Sequence, residues 1–155
     1  MNLYLLIKTL HIISSTILFG TGIGIAFFQF RSHFTNSLQE KFFAARTTVL
    51  ADYFFTAPAV IIQPLTGFWL VWHGGFGWLD AWLLWTYVIY IIAGACWLPV
   101  VWIQIQLKNM LAESLTTDTP LPERYHQLFR IWFILGWPAF IGLIIVFFLM
   151  VLKPV

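Results

Sequence analysis

Charge is the scarcest property of this sequence. Asp, Glu, Lys and Arg make up 9% of its 155 residues, where a soluble domain carries roughly 25%. So few ionisable groups cannot cover a water-facing surface, so a soluble fold is excluded. The net charge of +2 is small. The basic residues sit at segment ends and form no stripe, which argues against nucleic acid as a partner. Cysteine is nearly absent too. Cys96 stands alone inside an apolar run, so no disulfide framework can form within the chain. There is no CxxCH for covalent c-type haem attachment. The opening residues Met1–Ile7 lack the positive n-region and small-residue cleavage site of a secretory signal. The first apolar segment is therefore expected to stay as a membrane helix. No Ser-His-Asp set, paired carboxylates or phosphate-binding loop is visible, so hydrolytic and nucleotide chemistry have no support.

What the sequence has instead is apolar length. Hydrophobic residues make up 61% and aromatics 19%, and the mean hydropathy is +0.87. A hydrocarbon core of roughly 30 Å takes about 20 apolar residues to cross as a helix. Four stretches qualify, at about residues 3–30, 53–72, 81–105 and 129–152. None alternates as a barrel strand would. The expected fold is all-α: a single domain forming an integral membrane four-helix up-down bundle, its neighbours antiparallel because the connections are short. Arg31, Lys41 and Arg46 fall in the first connection. Lys108, Arg124 and Arg130 fall in or beside the third, and the second, His73–Asp80, has no Lys or Arg. The positive-inside rule places the first and third connections in the cytoplasm and both termini outside. Trp72, Trp78, Trp82 and Trp85 then read as an outer aromatic belt.

Polar groups inside a span are costly and mark candidate sites. In the first span Lys8, His11 and Ser15 recur at i, i+3, i+7, and Gly22 continues the stripe seven residues on. Two readings stand side by side. One is helix packing, with Gly20 and Gly24 as a small-xxx-small pair and Lys8 snorkelling outward. The other is a cofactor groove for haem b. Imidazole is a standard axial ligand, so His11 would bind the iron, Ser15 and Gly22 would line the groove, and Lys8 and Lys153 would pair with the propionates. The depth of His11 counts against His73 as the second axial ligand. His33 and His126 share the cytoplasmic side but are too few for a metal centre. In span two, Pro58 and Pro64 predict a kink. Gln63 shares a face with Gly67, either as a packing surface or as the wall of a cavity. Asp52 and Asp80 are expected to cap helix N-termini.

Leu6-Ile7-Lys8-Thr9-Leu10-His11-Ile12-Ile13 resembles the opening of the HemJ-type protoporphyrinogen oxidases, small haem-containing membrane proteins. Thr56-Ala57-Pro58-Ala59, Gly67-Phe68-Trp69-Leu70, Trp78-Leu79, Tyr125-His126-Gln127-Leu128-Phe129-Arg130, Pro138 and Lys153-Pro154 follow in matching order. That family carries a lysine after the tryptophan opening span three, where this chain has Asp80-Ala81-Trp82-Leu83-Leu84, and a histidine where this span ends in Ile103-Gln104-Ile105-Gln106. The whole pattern is closer to the uncharacterised integral membrane proteins called domain of unknown function 2269. The resemblance implies a multi-pass protein of the bacterial inner membrane, with His11 as the family-type histidine and Lys8 beside it. The functional expectation is a haem b membrane protein with a redox or electron-transfer role. Its partner would be a quinone, an electron-transfer protein or another membrane protein, with self-association open. A porphyrinogen oxidase and a non-catalytic helper of a membrane complex are the alternatives. A transporter is weaker, because no paired broken helices stand out.

Overall fold

The computed structural model describes residues 2–154. Among them the chain is all-helical, with four helices long and apolar enough to cross a membrane. Helix α1 spans Leu3–Ser32. The second membrane helix runs from Leu38 to Gly74 and is divided by a π turn, Asp52–Thr56, into α2, Leu38–Ala51, and α3, Ala57–Gly74. Helix α4 spans Ala81–Thr117 and α5 spans Glu123–Leu152.

The ends of these helices follow from local chemistry. The Asn2 side chain accepts the Tyr4 amide hydrogen at 3.0 Å and starts α1. Ser37 accepts from the Glu40 amide at 3.2 Å and starts α2, while its own amide donates to Thr35 Oγ1 at 3.3 Å and the Thr35 hydroxyl donates to the Glu40 carboxylate. Gly75 ends α3 at φ 70°, a left-handed conformation that costs glycine nothing. The π turn has its cause in Pro58. Proline has no N–H to give, and its ring crowds the carbonyl one turn earlier. The helix widens by one residue, and the Ala57 amide bonds the Asp52 carbonyl.

Two helices run well past the expected spans. Helical structure begins at Leu38, so the first connection shrinks to residues 33–37 and Lys41 and Arg46 lie on a helix. Helix α4 continues to Thr117, which leaves residues 118–122 as the third connection. Lys, Arg, Glu and Gln are good helix formers, so charge here marks where helices leave lipid and not where they end. At 1.5 Å per residue, the 37 residues of α4 extend about 55 Å, well beyond a hydrocarbon core of about 30 Å.

The bundle is two pairs joined off-centre. α4 packs along α5, α1 packs along α2 and α3, and the pairs meet chiefly where α2 lies on α4. Both described chain ends lie at one end of the bundle. There the Tyr4 and Trp69 rings are 6.3 Å apart and Lys153 Nζ sits 4.3 Å from the centre of the Phe76 ring. Trp82 is buried there at 6% exposure, edge-on to Phe76 at 5.6 Å. It therefore belongs to the interior and not to the expected aromatic belt, while Trp72, Trp78 and Trp85 are exposed. At the far end, Ala45, Leu107, Leu111, Tyr125 and Phe129 form the principal core.

Candidate functional site

His11 faces α3. Its Nε2 receives a hydrogen bond from Gln63 Nε2 at 3.1 Å, and its Nδ1 lies 2.8 Å from Thr66 Oγ1. The Thr66 hydroxyl donates to the Ile62 carbonyl at 2.7 Å. With the Gln63 amide in this orientation, the ring proton belongs on Nδ1 and is donated to Thr66. The imidazole is held as one neutral tautomer, with its Nε2 lone pair turned to Gln63. The ring lies against Gly67, where an added Cβ would meet His11 Cε1 at 3.2 Å. Gln63, Thr66 and Gly67 share the α3 face that the sequence singled out for Gln63 and Gly67. Gln63 Oε1 is buried without a partner among the described residues.

A second tie lies one turn deeper. Ser14, buried at 5% exposure, donates to the Ala59 carbonyl at 3.2 Å. From the other side, the Tyr90 hydroxyl donates to the Val60 carbonyl at 2.8 Å. The Val60 carbonyl would ordinarily accept from residue 64, which is Pro64. The kink frees an acceptor, and α4 supplies a donor, as hydrocarbon demands.

The other residues of the expected groove do not gather around His11. Lys8 is exposed on the first turns of α1. Ser15 donates to its own helix, to the Ile12 carbonyl at 2.8 Å. A Cβ added at Gly20, Gly22 or Gly24 would meet nothing within 4 Å, so these glycines mark open space beside α1 and not a close helix crossing. Lys153 lies at the same end of the bundle as Lys8 but stands over the Phe76 and Trp82 rings. Two surface clefts, of about 640 Å³ between α1 and α2 and about 500 Å³ between α4 and α5, have linings that do not include His11. His73 Nδ1 bonds the Trp69 carbonyl at 3.1 Å, and its ring stacks on Trp69 at 3.8 Å.

His33 and His126 do approach each other at the far end, with ring centres 6.0 Å apart. His33 stacks on Phe129 at 4.1 Å, and no group of three or more His, Cys, Asp or Glu able to hold a metal exists among the described residues. Burial first, then the Lys41 and His126 charges, hold the His33 imidazole below its ordinary value. A depressed folded pKa means the unfolded chain takes up this proton first. Stability from this group is complete above the unfolded value of about 6.5 and falls as pH drops through the folded value. The apparent melting temperature in detergent should decline between about pH 7.5 and about pH 5, and His33→Gln should flatten that slope. An equally steep decline in the variant would assign the effect to other groups.

Asp52 is where sequence reasoning missed most. The structure corrects its expected place at a helix start: it lies within a continuous helical stretch, on the π turn, and is 3% exposed. Its carboxyl group faces Thr56, Trp97 and Gln104. The signal was present in the spacing Thr48, Asp52, Thr56, one polar residue per turn, and in Pro58 just beyond it. Asp80 does stand at the N-cap position of α4, but its carboxylate accepts the Gly77 amide within the preceding turn, at 3.0 Å.

Neither the curated proteins nor the solved structures gave a match to this chain. One family model does match it, described as "Predicted integral membrane protein (DUF2269)", over residues 5–154. That match takes in all four membrane helices and the His11 contact with α3, and the chain therefore belongs to this family of integral membrane proteins.

Proposed function

We propose that the chain is a haem b-binding protein of the bacterial inner membrane with a redox role, with His11 as an axial ligand. The observation that supports this is the state of the imidazole. With the Gln63 amide N–H facing Nε2, the ring proton falls on Nδ1 against Thr66 Oγ1 and Nε2 carries the lone pair. A ligating histidine has this arrangement, in which the second nitrogen donates to a fixed partner that orients the ring. The residues fit one axial position on the condition that Gln63 gives up its bond to Nε2. Gln63 Oε1 already lacks a partner, so its amide is the group free to turn. Gly22, on the same face of α1 as His11 and about three turns along it, has open space beside it. Lys8 and Lys153, at one end of the bundle, are the cations available to propionates. On this reading both termini face outward. A bound haem would supply one-electron chemistry, and a quinone or an electron-transfer protein in the membrane would be the exchange partner.

A second reading has its own observation. Both ring nitrogens of His11 are engaged by α3, and the ring rests on Gly67. The same contact can serve solely to fix α1 against α3 in a non-catalytic subunit of a membrane complex. A porphyrinogen oxidase would further require that the lysine absent from Asp80–Leu84 be dispensable. Complementation of cells lacking their own oxidase tests that alternative.

One experiment separates the two main readings. The detergent-purified protein, expressed with ample haem, is scanned oxidised and dithionite-reduced. Stoichiometric b-type bands in the native chain, lost in His11→Ala, are the expected result. Thr66→Val should keep the haem but shift its spectrum or potential, because the orienting partner is gone. A colourless native protein after haem is added back, or full haem content in His11→Ala, overturns the assignment and leaves the structural tie.

A further inference from the structure

We propose that Asp52, Thr56 and Gln104 form a binding site for one monovalent cation, sodium or a proton, at the π turn. The site is separate from His11. Asp52 lies eleven residues before Gln63 on the same helical stretch, about 16 Å along the axis, and neither contact depends on the other.

Three oxygens carry the inference. Asp52 Oδ2, Thr56 Oγ1 and Gln104 Oε1 are all buried without a hydrogen-bond partner among the described residues. Their residues are 3%, 3% and 4% exposed. Thr56 and Gln104 are two of the side chains that face the Asp52 carboxyl group, and Trp97 is the third. The donors here, the Thr56 hydroxyl, the Trp97 ring N–H and the Gln104 amide N–H, face the Asp52 carboxyl group, yet Asp52 Oδ2 and Gln104 Oε1 remain acceptors without a partner. One cation satisfies all three oxygens together.

The backbone adds to this set. Pro58 has no N–H, so the turn before it leaves helical carbonyl oxygen without its usual donor. π turns inside α-helices are frequent at functional sites. Gln29 and Thr48, 1% and 2% exposed, continue the polar lining toward α1 and α2.

Charge selects the valence. A lone carboxylate at this depth is costly unless compensated. None of the three side chains facing Asp52 is basic. The charged and titratable groups on the elements around the turn are Tyr4, Lys8, His11, Arg31 and His33 on or just after α1, Glu40, Lys41 and Arg46 on α2, Tyr53 on the turn itself, His73 on α3, and Tyr87, Tyr90, Cys96, Lys108 and Glu113 on α4. None of these faces the Asp52 carboxyl group. One negative charge is balanced by one positive charge. A divalent ion would leave a net charge in a low dielectric. Oxygen-only ligands favour a hard cation over a transition metal.

The test uses the full chain purified in detergent. Sodium chloride is exchanged for choline chloride at constant ionic strength, and the melting temperature is read at about pH 6 and about pH 8. Infrared spectra in parallel record the C=O stretch of a protonated carboxyl group. For sodium, the melting temperature should rise saturably. The apparent affinity should weaken by up to about tenfold per unit fall in pH as protons compete. Asp52→Asn should abolish the response, and Gln104→Leu should weaken it about tenfold. For a proton, sodium should have no effect, and a protonated-carboxyl band should be present at neutral pH and missing in Asp52→Asn. If Asp52→Asn does not fold, Thr56→Val and Gln104→Leu carry the test, because either must move the sodium midpoint or the band frequency. The proposal is overturned if the native chain shows neither a sodium response nor an Asp52-dependent protonated band, or if both substitutions leave these signals unchanged.

Discussion

Leu107→Ala is expected to destabilise the protein by about 2–5 kcal/mol, the range for emptying a well-packed core site. Leu107 has no exposed surface and lies among Ile103, Leu111, Tyr125 and Phe129. Its position on α4 explains why the effect should be large. Lipid tails are as apolar as leucine, so burial between helices inside the bilayer gains little from the hydrophobic effect. Leu107 lies beyond the hydrophobic span of about residues 81–105 expected from the sequence, next to Lys108. On that expectation water borders this end, and exclusion of apolar surface from it is a driving force. A chemical-denaturant or thermal series in detergent should rank Leu107→Ala well above an equivalent deletion at exposed, lipid-facing Ile91. Equal losses at the two positions would show that the far-end core carries no special share of the stability.

Gly67→Val is expected to separate α1 from α3 around His11. Even a single Cβ meets the imidazole at 3.2 Å, and the branched methyl groups have no room to retreat on a helix. Overpacking of this kind costs about 1–3 kcal/mol. Breaking the Gln63 and Thr66 bonds adds about 0.6–2 kcal/mol for each interhelical hydrogen bond. The consequence is that Gly67→Val should match or exceed His11→Ala in lost stability, although it deletes no polar group. A double-mutant cycle checks the mechanism. With His11 already alanine, valine at position 67 should cost much less. Additive losses would place the strain elsewhere.

The four membrane helices were legible because hydrocarbon leaves so few options. An apolar run of sufficient length must be helical there, and nothing in the chain alternates like a strand. Their full extents were less legible. Lys41, Arg46 and Lys108 signal an exit from lipid, and a helix can continue through that exit without any change that composition registers. His11 and Gln63 were each visible as costly polar groups in a span. Their pairing needed the register between α1 and α3, which depends on the kink at Pro64 and on the close approach at Gly67. The glycines of α1 gave a packing pattern with no partner opposite it, because spacing along one helix says nothing of the distance to the next. Asp52 was misplaced for a related reason. A carboxylate beside a charged connection reads as a cap, and only the continuous helix through Leu38–Gly74 puts it inside.

The off-centre build has a topological consequence. At one end the polypeptide turns within residues 75–80. At the other, α2, the last turns of α4 and the first turns of α5 enclose the principal core. Most of the chain outside the expected apolar spans therefore lies at that end. A protease or a membrane-impermeant label is expected to meet a helical platform at that end and, at the other, the short turn of residues 75–80. A soluble partner would find the more extensive surface at the platform end.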